Sequence, residues 1–242
     1  MHHTDKRRIS AWLKDLREKH YIAWIYQPDD PTESKTPAIY YLALNGIRYL
    51  REHENYPLEA LRKRYTESSR KRSFVDRCLL LADCCIDAGN RSVGDIRFTC
   101  ILQADYANED SDYSFLEDLQ PHACFVKEEE TEDGVIVTNY LLDIFITTTP
   151  QHRIKKRIRA YVAYLNKASW EDATDDDKPP IIELAFATKA DLIYAKRRAR
   201  LELADIYGDS DDDIPEDIQM QFTTVEKIRE NGVTARIWEK LM

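Results

Sequence analysis

The run YLLDIFITTTPQHRIKKRIRAYVAYL, residues 140–165, holds an acid at the end of an apolar stretch, then a short loop, then a basic helix-forming stretch. That order has a possible chemistry. A strand that delivers Asp143 to the mouth of a basic helix can hold Mg²⁺ against a phosphate, since Mg²⁺ takes oxygen ligands in near-octahedral geometry and keeps several waters. The same order also ends strands in many α/β domains. RIKKRIR equally fits a solvated helix face, with Ile154, Ile158 and Tyr161 on the inward stripe. Strand alternation puts Leu142 and Ile144 on one face and Asp143 on the other.

A second chemistry is phosphate and base contact near the start of the chain. From Lys6 to Lys19, Ile9, Trp12, Leu13 and Leu16 recur at three- and four-residue spacing, which predicts an amphipathic helix. Its basic face offers Lys6, Arg7, Arg8 and Lys14 to a major groove, where Arg or Lys can reach guanine O6 and N7 while others sit on phosphates. HYIAWIYQ, the polar stretch PDDPTESKTPA and IYYLAL follow as strand, loop and strand, the order of a winged helix. On that wing Lys35 and Thr36 are candidates for the adjacent backbone or minor groove. Charge divides the same way. Residues 1–72 hold 15 Lys and Arg against 10 Asp and Glu, while the whole chain is at −9. A basic first segment on an acidic remainder suits double-stranded DNA as partner of the first segment only.

Elements that would position these residues can be traced along the chain. NGIRYLREH predicts a helix capped by Asn45, and YPLEALRKRYTESSRKRS carries a basic linker helix. RSFVDRCLLLADCCIDAG predicts a helix ending at Gly89, and GDIRFTCILQAD a strand. DSDYSFLEDLQP reads as polar and partly helical. Two strands then flank a turn at Asp133-Gly134, a helix starts near Pro150, IIELAFAT is an apolar strand, and a helix runs to Gly208. The tail predicts a hairpin or a strand with a terminal helix. The fold class is α+β: a partial winged helix in residues 1–55, a linker helix in 56–72, and a mixed-sheet α/β domain in 73–242.

Other features bound the function classes. No apolar run approaches the roughly 20 residues of a membrane span, and the N-terminus lacks an apolar signal region. Five cysteines, mostly within apolar runs, read as reduced and buried, which places the protein in the cytoplasm. DATDDD and DSDDDIPED lack EF-hand spacing, and no Gly-rich phosphate loop or zincin motif is present.

The ordered set of RRISAWLKDLREKHYIAWIYQ, IYYLALNGIRYL, SFVDRCLLLADCCIDAG, QPHACFV, NYLLDIFIT and IKKRIRAYVAYL resembles the replication-relaxation family of bacterial plasmids and mobile elements. The likeness covers residues 6 to about 200. It implies an N-terminal winged helix, a restriction-endonuclease-like α/β domain, and a role in plasmid replication or DNA relaxation, with replication proteins or a second copy as further partners. A nuclease of that type needs an acid entering the hairpin, a second acid on the next strand, and a lysine two residues on. Here His122 follows Pro121 where the first acid belongs, and Phe145 stands at the lysine position. Asp143 alone remains, with Lys155 and Lys156 the candidates to reach back to the missing lysine's place. The expectation is a catalytically degenerate domain without a cofactor. Mg²⁺ enters only if the alternative, a DNA-nicking nuclease, holds; a protein-interaction module is the other alternative.

Overall fold

The computed structural model describes residues 5–25, 38–54, 56, 58–106, 113, 116–167, 178–208, 210 and 213–241. The chain is α+β and divides into two compact units, Met1–Lys71 and Arg72–Met242. No helix among the described residues is long and apolar enough to cross a membrane.

In the first unit, helix α1 (Lys6–Glu18) starts where the Asp5 side chain accepts a hydrogen bond from the Arg7 N–H at 3.0 Å. Strands β1 (Ile22–Ile25) and β2 (Ile39–Leu42) pair antiparallel, with Ile22 opposite Leu42. Helix α2 (Leu44–His53) follows at once. Its N-cap is Ala43, not Asn45. Asn45 lies inside the helix, and its side-chain amide donates to the Lys19 carbonyl at 2.9 Å, tying the end of α1 to the start of α2. Gly46 makes that approach possible: a Cβ there would lie 2.3 Å from the Tyr21 carbonyl oxygen. Helix α3 (Leu58–Arg64) is the basic helix expected as a linker. It buries Ala60 and Leu61, so it packs within the first unit.

The second unit is built on a mixed six-stranded sheet. Helix α4 (Arg72–Asn90) leads into β3 (Ile96–Leu102) and the short helix α5 (Gln103–Tyr106). The hairpin β4 (Ala123–Thr131) and β5 (Gly134–Phe145) turns at the expected Asp133-Gly134. Helix α6 (Gln151–Asn166), β6 (Ile181–Phe186), helix α7 (Lys189–Tyr207), β7 (Met220–Thr224), helix α8 (Val225–Asn231) and β8 (Glu239–Lys240) complete it. Strand order is β3-β4-β5-β6-β7-β8, antiparallel except for the parallel pairs β5·β6 and β6·β7. Of the two alternatives for the tail, the antiparallel return of β8 beside β7 agrees with the hairpin, with α8 inserted between the strands.

Side-chain alternation splits the core into two layers. Leu141, Ile182, Leu184 and Phe186 meet Ile154, Ile158, Tyr161 and Ala195 of α6 and α7. Leu142, Ile144 and Ala185 meet Leu80 and Cys84 of α4 and Val225 and Ile228 of α8. Leu142 and Ile144 therefore share a face, as alternation required, and β5 is an interior strand. The cysteine expectation needs correcting. Cys84 and Cys124 are buried, but Cys78 is exposed, and Cys85 of α4 is joined to Cys100 of β3 as a disulfide. The helix–strand packing puts those two Cα atoms 5.9 Å apart, within disulfide reach.

One acid sits inside the apolar β6. Glu183 is 5% exposed, and burial holds its carboxyl well above the usual carboxylate range. The folded state then keeps a proton that the unfolded chain has lost. Stability from this group is full below the ordinary carboxylate pKa and falls as pH rises through the raised folded value. Glu183→Gln, which has a similar shape and does not titrate, is expected to flatten that part of the stability–pH curve in denaturant titrations. Parallel curves for the two proteins across this range would assign the dependence to another group.

Candidate functional site

Asp143 lies on the α6 face of β5 and is 2% exposed. Both its oxygens are engaged. Oδ1 accepts from the His122 backbone N–H at 3.1 Å, and Oδ2 pairs with Nε of Arg157 on α6. The Arg157 guanidinium also donates to the Leu119 carbonyl, to the Gln120 carbonyl at 3.1 Å and to the Tyr161 hydroxyl at 3.0 Å. One planar fork therefore joins α6, β5 and the segment entering β4. Gln120 has φ +47°, a left-handed conformation uncommon outside glycine, and its N–H donates to the Leu116 carbonyl at 2.7 Å.

His122 completes the cluster. Its Nδ1 accepts from the Ile144 N–H at 2.9 Å, which favours the neutral ring protonated on Nε2, and also lies 3.3 Å from Asp143 Oδ1. Burial, the largest cause, lowers its pKa; Asp143 works in the opposite direction, and Arg77 and Arg157 add to the lowering. Tyr161 is fully buried, and burial raises its hydroxyl well above the usual range.

This arrangement does not fit Mg²⁺. A cation at Asp143 would meet the Arg157 guanidinium already on Oδ2, and His122 Nδ1 is committed to a backbone N–H. Among the described residues no three His, Cys, Asp or Glu side chains group as metal ligands. Phe145, at the lysine position, stacks on Phe186 with ring centroids 4.9 Å apart. Lys155 is half-buried and Lys156 exposed, and neither makes a hydrogen bond or ion pair among the described residues. The reach-back from α6 is made instead by Arg157, which the sequence reading passed over. Asp143 is a buried node of the fold, where a leftover acid at a strand end had been expected.

The basic face of the first unit is differently built. Lys6, Arg7, Arg8 and Lys14 are all exposed on α1. At 100° per residue Arg7 and Lys14 share one stripe, and Arg8 lies about a quarter-turn round the helix. Lys14 has only a 3.8 Å exposed pair with Glu18, while Lys6, Arg7 and Arg8 have no acidic partner among the described residues. Arg17 is turned inward, its guanidinium 3.9 Å from the Trp24 ring centroid, so it fastens α1 to β1. Lys35 and Thr36, the wing candidates, lie outside the described residues. So do the acidic stretch DATDDD and much of DSDYSFLEDLQP. No family model, curated protein or solved structure matches the chain.

Proposed function

We propose that the chain is a DNA-binding protein of the replication-relaxation type, acting in the replication or relaxation of a plasmid or mobile element. In this reading the first unit is a partial winged helix and the second a restriction-endonuclease-like domain without a working metal site. The observation that carries it is the exposed set Lys6, Arg7, Arg8 and Lys14 on a helix beside a two-stranded hairpin, with no acid holding Arg7 or Arg8 among the described residues. A helix of this kind fits the major groove, with arginines on base edges and phosphates. The order α4-β3-α5-β4-β5-α6-β6, antiparallel strands running into a parallel crossover, supports the second half of the proposal. So does the Asp143–Arg157 pair, which replaces a carboxylate held for a cation by one held by an arginine.

A second reading draws on a different observation. Ile9, Trp12 and Leu16 form one stripe of α1 and are 38%, 47% and 39% exposed. An exposed apolar stripe suits a protein partner, either a replication protein or a second copy.

Two charge-matched doubles separate these readings. Arg7→Ala with Arg8→Ala should lower the magnitude of the salt slope of duplex-DNA binding by about 1–2 units, at roughly 0.9 per phosphate contact. Lys155→Ala with Lys156→Ala should leave the slope nearly unchanged. Equal effects from the two doubles would favour the protein-binding reading. A larger effect from the lysine pair would put DNA on the second unit. Plasmid nicking in Mg²⁺ that Asp143→Asn abolishes would establish the nuclease alternative.

A further inference from the structure

On the α4–α8 face of the sheet, opposite Asp143, the second unit has a half-open cavity of about 340 Å³. That lies within the size range of small-molecule sites, which are mostly apolar with a few placed polar groups. Its walls include the rings of Phe125, Tyr140 and Trp238. Trp238 offers only its ring, because its N–H donates to the Val233 carbonyl at 2.8 Å.

Two polar groups stand side by side among these rings. Glu183 of β6 is paired in register with Gln221 of β7, so both side chains leave the same face. Glu183 is more than nine-tenths buried, yet among the described residues nothing hydrogen-bonds its carboxyl. The carboxyl lines the pocket, where a ligand's donors and acceptors can meet it. Burial keeps this carboxyl protonated, so it both donates and accepts. The neighbouring carboxamide does the same. The remaining charged lining residue among those described is Arg236, which is exposed.

The wall that brings Trp238 and Arg236 is pinned. The Thr234 N–H and hydroxyl both donate to Asp87 of α4, at 3.0 and 2.7 Å, and the Thr223 hydroxyl donates to the Ile237 carbonyl at 2.9 Å. Gly232, at φ +86°, lets the chain pass Asp87, where a Cβ would lie 2.6 Å from the carboxylate. The cavity is therefore formed before any ligand arrives.

We propose that this cavity binds a nucleotide, its base between the aromatic walls, its donor–acceptor edge on Glu183 and Gln221, and its phosphate on Arg236. Aromatic side chains stack on any base, arginine is suited to phosphate, and a paired acid and amide read a planar heterocycle's edge. An organic cation is disfavoured, since it would require ionised Glu183 in an apolar site and would have Arg236 as a neighbour. The ionisable groups around Glu183 are Tyr140 from β5, Cys84 from α4, and Arg236 on the cavity wall. Burial pushes the Cys84 thiol up to about 12, and burial and then Glu183 raise Tyr140. The inference does not rest on DNA binding by the first unit.

Calorimetric titration of the intact chain with the four deoxynucleoside monophosphates and their nucleosides tests it. At least one monophosphate is expected to bind. Glu183→Leu should weaken it about tenfold or more, the effect of losing a buried hydrogen-bonding partner. Arg236→Ala should weaken the monophosphate and leave its nucleoside unchanged. Glu183→Gln should retain binding and remove its decline at higher pH, which also guards against a folding defect in the leucine variant. A short single-stranded oligonucleotide, added to the Arg7→Ala, Arg8→Ala protein, separates the sources. Tighter binding than the monophosphate, lost with Glu183→Leu, points to a base presented by a strand; weaker binding points to a free nucleotide. No binding of any monophosphate at millimolar concentration, binding indifferent to Glu183→Leu, or preferential binding of an organic amine would overturn the proposal.

Discussion

Arg157→Met is expected to destabilise the second unit by about 3–5 kcal/mol, the cost of leaving a buried charge without its partner. Asp143 is 2% exposed, and Arg157 supplies the charge on its Oδ2. The substitution also strips a donor from the Leu119 and Gln120 carbonyls. Methionine keeps an apolar stem of similar length, so the loss reports the guanidinium, including its contact over the Tyr161 ring. Adding Asp143→Asn should recover part of it, since a neutral amide is cheaper to bury than an unpaired carboxylate. Urea unfolding of the two single variants and the double gives the coupling directly. A single-variant loss below about 1 kcal/mol, in the range of exposed ion pairs, would mean that the pair is solvated rather than a node of the fold.

Leu142→Ala should cost about 2–5 kcal/mol, as large-to-small changes in a core do. Leu142 is wholly buried on an interior strand, among Leu80, Ala123 and Val225 of the second layer. The spread in that estimate reflects how far α4 and α8 can close on the void. A melting temperature unmoved by the change would place β5 at an edge or shift its register by one residue, which would also turn Asp143 to the other face.

Local patterns in the sequence carried much of this architecture. Alternation around Asp143 assigned Leu142 and Ile144 to one face, Asp-Gly marked the hairpin turn, and the Ile154–Ile158–Tyr161 stripe oriented α6. Long-range partners were not legible. Arg157 sits in a run of cations that all look solvated, and what singles it out is a set of carbonyls 37 and 38 residues away. Its place four residues before Tyr161, on the border of the apolar stripe, was the available clue. Glu183 had a clearer signal. An acid inside the run IIELAF of a parallel strand, covered on both faces, has no route to water along the strand. Asn45 is instructive for the opposite reason. Its type suits a cap, but the tight approach of α1 to α2 recruited its amide for the Lys19 carbonyl. The cysteines were misjudged because pairing of Cys85 with Cys100 depends on how α4 lies against β3, which spacing in sequence does not encode.

Affinity of the intact chain for a duplex of arbitrary sequence, measured by fluorescence anisotropy over a series of salt concentrations, tests the central claim most directly. If Lys6, Arg7, Arg8 and Lys14 meet phosphates, log K should fall linearly with log salt, with a slope of about −3 to −4 at roughly 0.9 per contact. Absence of binding at low salt, or an affinity that salt leaves unchanged, would contradict a DNA-binding function for the first unit.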